Sequence, residues 1–175
     1  MSILFERMIN ALCSSAIEHN FHSVCINPSR VQQATEYLSS SKVIVCSVIG
    51  FPLGATSTIS KLQELEFCIL KGATEIDLVI NIGYFKDGKL GYVANEISKI
   101  VKNAHNSNNG VIALCHMSSP EAKLSYDINV KLSNSKLTSL YNVFLKWAIS
   151  SKTDGIIVGA TFPKIIKECK KAIGK

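Results

Sequence analysis

The sequence predicts an α/β protein with about five parallel strands and flanking helices. Short runs rich in β-branched residues alternate with amphipathic stretches of about a dozen residues, which is the pattern of βα units. The chain has 175 residues, 47% of them hydrophobic, which suffices for one sizeable core. Because five strands do not close a barrel, the sheet edges need covering, and we expect a homo-oligomer.

Each predicted element has local signals. Helices are predicted over 3–19, 29–38, 57–71, 91–104, 137–150 and 163–173, and strands over 23–27, 43–50, 75–82, 111–115 and 155–160. Pro28 and Pro163 stand where a first helical turn tolerates a missing N–H. Gly72 and Gly174 stand where a helix can end in a left-handed residue.

Two polar stretches interrupt this alternation, at 105–110 and at 125–136. The second is too long for an ordinary connection between a strand and a helix. Each is a candidate boundary or insertion. We therefore expect a single α/β domain over 1–175 with a candidate internal junction near 105–110.

The charge balance and hydropathy narrow the choice of partners. The 19 Lys and Arg residues outnumber the 13 Asp and Glu residues, giving a net charge of +6, but the lysines are scattered. A phosphorylated small molecule fits this charge, whereas nucleic acid does not fit its distribution. No apolar run approaches the roughly 20 residues of a membrane span. Glu6 and Arg7 also interrupt the stretch where a signal peptide is apolar. We expect a cytoplasmic protein without membrane contact.

Motifs for metals and common cofactors are missing from the sequence. The 6 cysteines form no CxxC pair, and the 4 histidines lack the spacing of metal ligands. No phosphate loop, dinucleotide fingerprint, HExxH or GxSxG occurs. We expect free and mostly buried thiols, no metal and no cofactor. A turn with Gly50 and Gly54 precedes a predicted helix, where its backbone can accept an anion or admit a substrate.

Strand alternation divides the run TEIDLVINIG into two faces. The helix-facing set is Ile76, Leu78, Ile80 and Ile82, and the opposite set is Glu75, Asp77, Val79 and Asn81. Asp77 and Asn81 then point into a barrel interior or a ligand cleft. An interior carboxylate costs several kcal/mol unless it is paired or protonated, so Asp77 is a site candidate. The alternative is an exposed strand start or a pair with a lysine.

Cys25 falls on the same face as Asp77 by the parity of its own strand. It lines the cleft or packs as a small core thiol. No histidine or helix start nearby in the sequence predicts a lowered pKa for this thiol.

Four segments carry a resemblance to a known family: SVCINPSRV, VCSVIGFPLGATST, CILKGATEIDLVINIG and YFKDGKLGYVANEISKIV. Residues 10–104 resemble deoxyribose-phosphate aldolase in order and spacing. The resemblance implies a partial (β/α)8 TIM-type barrel. It also implies a class I carbon–carbon lyase that splits 2-deoxyribose 5-phosphate into acetaldehyde and glyceraldehyde 3-phosphate through a lysine Schiff base. Asp77 then corresponds to the aspartate of the proton relay, and Cys25 and Asn81 lie at the substrate.

The essential lysine of that family has no counterpart here. The corresponding strand reads DGIIVGATFP and places Ile157 or Val158 at the lysine position. Without an amine no iminium forms, so the lyase is expected to be impaired or inactive. Lys86 and Lys89 follow the Asp77 strand and are alternative amines, although exposed loop lysines are the simpler interpretation.

Residues 109–170 instead resemble orotidine 5'-phosphate decarboxylase. The segments NGVIALCHMSSPEAK, LYNVFLKWA and GIIVGATFPKIIKEC carry this resemblance. It implies that Ser118 contacts the substrate, but the Asp-x-Lys-x-x-Asp array of that family is missing. Three hypotheses therefore stay open: an aldolase-like lyase, a decarboxylase-like lyase, and a non-catalytic barrel fragment or chimera.

Overall fold

The computed structural model describes the backbone of residues 2–107, 112–116 and 155–157, and the side chains of residues 6–107. Within these ranges, five parallel strands form one sheet in chain order. The strands are β1 (Ser23–Ile26), β2 (Ile44–Ile49), β3 (Glu75–Val79), β4 (Ile112–His116) and β5 (Gly155–Ile157). The α-helices are α1 (Ser2–Glu18), α2 (Val31–Leu38), α3 (Thr58–Leu70), α4 (Ile82–Lys86) and α5 (Leu90–His105).

The predicted parallel α/β architecture is confirmed, with two local differences. The predicted helix over 29–38 begins as a 3-10 turn, Pro28–Arg30, before α2. The predicted strand over 75–82 ends earlier, at Val79, because Asn81 starts the short helix α4. The predicted helices over 137–150 and 163–173 and the polar stretch over 125–136 lie outside the described residues.

Local chemistry explains the bounds of α3. The Ser57 side chain accepts a hydrogen bond from the Ser60 N–H at 3.1 Å, which caps the first turn. Beyond the last turn, Gly72 has a φ of +102°, as its predicted role as a left-handed terminator requires. The helix therefore begins and ends within one residue or so of the predicted bounds.

The core lies between the helices and one face of the sheet. Helix α5 buries an apolar stripe that recurs every three or four residues: Val93, Ile97, Ile100, Val101 and Ala104. This stripe belongs to one cluster with the β3 residues Ile76 and Leu78. Fully burying each large side chain contributes about 1.5–3 kcal/mol, so this packing contributes substantially to stability. The candidate functional site lies on the opposite face of the sheet.

No helix in the described part of the chain combines the length and apolar character needed to cross a membrane.

Candidate active site

Asp77 lies in the middle of β3, on the sheet face opposite the helices. Its strand neighbours Ile76 and Leu78 pack in the core under the helices, and side chains alternate along a strand. Asp77 is only 6% exposed. In the register of the sheet it stands beside Val48 of β2 and Leu114 of β4. The structure thus places this carboxylate on the interior face and not at an exposed strand start.

Cys25 and Cys46 form a pair of thiols on the same face. They are direct partners in the parallel β1–β2 ladder. Cys46 is buried, whereas Cys25 is exposed. A hydrogen bond from Cys46 lowers the pKa of Cys25, against the raising effects of burial and of the carboxylates of Asp77 and Glu75. The same bond raises the pKa of Cys46. The sequence showed no histidine or helix start that lowers the pKa of Cys25; the group that lowers it is a thiol on the neighbouring strand, Cys46.

Glu75 joins these residues on the interior face. It pairs with Cys46 in the β2–β3 register and is 8% exposed. Its Oε2 lies 3.4 Å from Nε2 of His22, which is largely exposed. We call Cys25, Cys46, Glu75 and Asp77 the interior-face cluster. Its carboxyl and thiol groups are of the types that take up and release protons in acid–base catalysis. Across the described residues, no three His, Cys, Asp or Glu side chains are placed to hold a metal ion.

The helix-facing side of the sheet buries an ion pair. Lys61 of α3 and Glu96 of α5 are both fully buried, and their Nζ and Oε2 atoms are 2.9 Å apart. The Lys61 ammonium also donates to the Val79 carbonyl at 2.9 Å. Glu96 Oε2 accepts from the Asn81 N–H at 3.0 Å. Burial lowers the pKa of Lys61, and the Glu96 carboxylate opposes that shift. Both charges therefore hold the carboxyl end of β3 in place.

Sequence reasoning missed this pair, although a signal was present. Lys61 shares the buried face of α3 with Leu65 and Cys68, at a helical spacing of four and then three residues. A lysine within an apolar stripe indicates either a buried partner or a functional amine. Here the ammonium is fully buried and bonded to Glu96 and Val79, so it is not placed to act as a covalent nucleophile.

The glycine turn after β2 serves packing. A Cβ at Gly54 would lie 1.7 Å from the Ile80 carbonyl oxygen, and the φ of Gly54 is +63°. The Gly50 N–H donates to the Glu64 carboxylate at 2.7 Å, so this amide already has a negatively charged partner. Positive φ angles account for both glycines, together with the close Ile80 backbone at Gly54 and the close Lys61 side chain at Gly50.

Asn81 lies beyond the end of β3 and caps α4. Its Oδ1 accepts from the Tyr84 N–H at 3.0 Å. The strand alternation used to aim Asn81 at the interior no longer applies at this point, because the strand has ended at Val79. The amide oxygen of Asn81 has a structural role, and its predicted substrate contact stays a prediction.

The two alternative lysines lie near α4. Lys89 is exposed, and its Nζ lies 4.8 Å from the centre of the Tyr84 ring. Tyr84 in turn meets Tyr92 edge to face, with ring centres 4.5 Å apart. Lys86 is half-buried at the end of α4. These contacts describe a surface cluster and place Lys89 on a ring face.

Three other predicted positions lie in the second half of the chain. Ser118 and Val158 lie outside the described residues. Ile157 ends β5 and pairs with His116 of β4, which pairs with Val79. Asp77 connects in the same way through Leu114 to Gly155. In the register of the sheet, Ile157 therefore stands two residues beyond the position that pairs through Leu114 with Asp77.

Known proteins are similar to this chain in sequence and in fold. A deoxyribose-phosphate aldolase of Malacoplasma penetrans (strain HF-2) is 38% identical over 167 residues, covering 95% of this chain and 69% of that protein. One of Staphylococcus haemolyticus (strain JCSC1435) is 45% identical over 119 residues, covering 68% of this chain and 54% of that protein. The solved aldolase QR15 is 24% identical with a TM-score of 0.77, covering 97% of this chain and 70% of that chain. A deoxyribose phosphate aldolase from Aeropyrum pernix, described as a unique tetrameric structure, is 24% identical with a TM-score of 0.68, covering 86% of this chain and 56% of that chain. No family model matches the chain.

The chain belongs to the deoxyribose-phosphate aldolase family, and its fold is part of a TIM-type barrel. It spans about half the length of several curated relatives, including 54% of the Staphylococcus protein. The resemblance of 109–170 to orotidine 5'-phosphate decarboxylase is not supported, since the Malacoplasma aldolase matches 95% of the chain. Short apolar strands followed by amphipathic helices recur in all βα barrels, which explains the mistaken likeness.

Proposed function

We propose that the chain is an aldolase-type carbon–carbon lyase acting on a phosphorylated sugar, with Asp77 as its proton-transfer residue. The observation that supports this most is the buried position of Asp77 on the interior face of β3, in a chain of the deoxyribose-phosphate aldolase family. The net charge of +6 suits a phosphorylated substrate.

The proposed chemistry divides between a proton-transfer group and an electron sink. Cleaving a carbon–carbon bond beside a carbonyl requires a base for the hydroxyl proton and a group that accepts the electron pair. A positioned carboxylate such as Asp77 typically contributes about 10²–10⁴-fold through proton transfer. An iminium formed on a lysine is the usual sink in class I aldolases, and a carboxylate cannot replace it.

We further propose that the residue at the family's lysine position is Ile157 and that its aliphatic side chain limits turnover. The sequence alone leaves Ile157 and Val158 as alternatives. Strand alternation supports Ile157, because this residue stands two residues beyond the register position of Asp77. An aliphatic residue there forms no imine, so we expect turnover far below that of an aldolase with the lysine.

The experiment measures cleavage of 2-deoxyribose 5-phosphate by the wild type and by Asp77→Asn, with exposed Asp87→Asn as the matched control. We expect slow cleavage by the wild type, a loss of about 10²-fold or more in Asp77→Asn, and no loss in Asp87→Asn. Cleavage at the level of a protein-free blank overturns the lyase proposal. Equal rates for the wild type and Asp77→Asn overturn the role of Asp77.

A second experiment adds the missing amine. Ile157→Lys is expected to raise turnover and to gain a two-carbon adduct at position 157 when acetaldehyde is trapped with borohydride. Val158→Lys is the matched variant and is expected to gain neither. If a folded Ile157→Lys shows no adduct and no gain, the proposed position of the amine is wrong, whereas a gain only in Val158→Lys reverses the register argument.

Three further proposals concern the domain organisation, the oligomeric state and the location of the protein. We propose a single domain with a junction just after α5, which ends at His105 where the polar stretch 105–110 begins. We propose a homo-oligomer, which agrees with the tetrameric structure described for the Aeropyrum pernix protein. We propose a cytoplasmic location, which agrees with the four free thiols of the described residues.

A further inference from the structure

The sulfurs of Cys25 and Cys46 lie on neighbouring strands at the same level of the sheet. Their Cα atoms are register partners in β1 and β2. Neighbouring strands lie about 4.7–4.9 Å apart. Disulfides bridge Cα atoms about 4.4–6.8 Å apart, so the strand spacing falls within the usual range. The side chains share one face, and the neighbouring Cys46 thiol lowers the pKa of Cys25.

Accessibility distinguishes Cys25 from the other thiols whose side chains are described. Cys25 is exposed, so a small reagent can reach it. Cys13 and Cys68 are fully buried within the core. Burial raises the pKa of both of these thiols, which disfavours the reactive thiolate. In Cys25 the hydrogen bond from Cys46 acts in the opposite direction on the pKa.

We propose that Cys25 and Cys46 are a redox modification site, at which a peroxide oxidises Cys25 and Cys46 then closes a reversible disulfide between β1 and β2. This inference concerns the thiols alone and stands whether or not the chain is a lyase. The disulfide is expected to change the surroundings of Glu75, because Cys46 is also the register partner of Glu75.

The proposed chemistry balances in two steps. The Cys25 thiolate attacks one oxygen of the peroxide and breaks the O–O bond, giving a sulfenic acid and, for hydrogen peroxide, water after protonation. The Cys46 sulfur then attacks the Cys25 sulfur, forms the S–S bond and expels the hydroxyl, which leaves as water with the Cys46 proton. Two thiols are oxidised by two electrons, and one peroxide is reduced to two waters.

The test maps all six cysteines of the full chain after hydrogen peroxide treatment and blocking with N-ethylmaleimide. Trypsin leaves Cys13 and Cys25 in one peptide, so a glutamate-specific protease is added to cut after Glu18 and separate them. The expected product joins the Cys25 peptide to the Cys46 peptide, lacks the mass of two hydrogen atoms, and is separated by dithiothreitol. Recovery of Cys46 as its maleimide adduct while Cys25 is oxidised further, or joined to another cysteine, overturns the proposal.

Variants identify the order of the steps. In Cys46→Ser, dimedone is expected to capture a sulfenic acid at Cys25, because no neighbouring thiol resolves it. In Cys25→Ser, Cys46 is expected to stay unlabelled. Cys68→Ser, which removes a fully buried thiol on the helix side, is expected to form the disulfide as the wild type does. Dimedone capture at Cys46 but not at Cys25 overturns the assignment of Cys25 as the attacking thiol. The wild-type map decides the pairing even if a variant fails to fold.

Discussion

The two faces of the β2–β3 region bury polar groups in different ways. On the helix side, Lys61 and Glu96 are fully buried and bonded to each other and to the backbone at the end of β3. On the interior side, Asp77 is also buried, but it lies among titratable groups that include the exposed thiol of Cys25. Burial alone therefore does not mark a functional group. What separates the two sets is that the interior-face cluster includes an exposed thiol, whereas both groups of the ion pair are fully buried.

Removing one partner of the Lys61–Glu96 pair is expected to have the largest effect on stability. Lys61→Met leaves the Glu96 carboxylate buried without its cation, and breaking a buried pair in this way costs about 3–5 kcal/mol. Urea unfolding measures the loss. Lys99→Met, on the exposed side of α5, is the control and is expected to change stability by no more than about 0.5 kcal/mol. A Lys61→Met protein as stable as the control would show that this pair does not hold the strand end.

The glycine turn that packs against the end of β3 is expected to rank second. Gly54→Ala places a methyl group 1.7 Å from the Ile80 carbonyl oxygen, at a φ of +63°. A residue forced into such a conformation costs about 1–3 kcal/mol. Gly91→Ala is the matched substitution, because its Cβ meets nothing within 4 Å and the residue lies in α5. That change is expected to stabilise the protein by about 0.5–1 kcal/mol. Thermal unfolding of the two variants should therefore shift in opposite directions.

The interior placement of Asp77 could be predicted from sequence, because side chains alternate between the two faces along a single strand. The apolar residues Ile76 and Leu78 assign the helix side, and Asp77 must then face the other way. The same logic failed at Asn81, since the strand ends at Val79 and a short helix begins. The alternation of side chains predicts a face only for residues within the strand.

Contacts between elements could not be predicted in this way. The pairing of Cys25 with Cys46 depends on the register between two strands, which neither strand encodes by itself. The Lys61–Glu96 contact joins two helices separated along the chain by β3 and α4. Strand alternation therefore predicted the faces of Cys25 and Asp77 but not their partners, and the partner determines the chemistry of these side chains.

The cap at the end of β3 offers a smaller test of how the two faces meet. Asn81→Ala removes the acceptor for the Tyr84 N–H and is expected to cost about 1 kcal/mol. Asn81→Asp keeps an oxygen at the same place and is expected to retain most of the stability, as urea unfolding would show. If both variants lose the same stability, the loss comes from the amide nitrogen of Asn81 and not from its capping oxygen.

The smallest expected effect on stability, and the most specific to the interior face, concerns the reactivity of Cys25. Only the thiolate reacts with iodoacetamide, so the pH at half-maximal alkylation rate follows the pKa of this thiol. In the wild type the hydrogen bond from Cys46 lowers that pKa. Cys46→Ala removes the bond and leaves the opposing effects of burial and the nearby carboxylates, so the midpoint should move to higher pH. Cys68→Ala, on the helix side, should leave it unchanged. An unchanged or lower midpoint in Cys46→Ala would mean that Cys46 does not lower the pKa of Cys25. The neighbouring strand would then add nothing to the reactivity of this thiol.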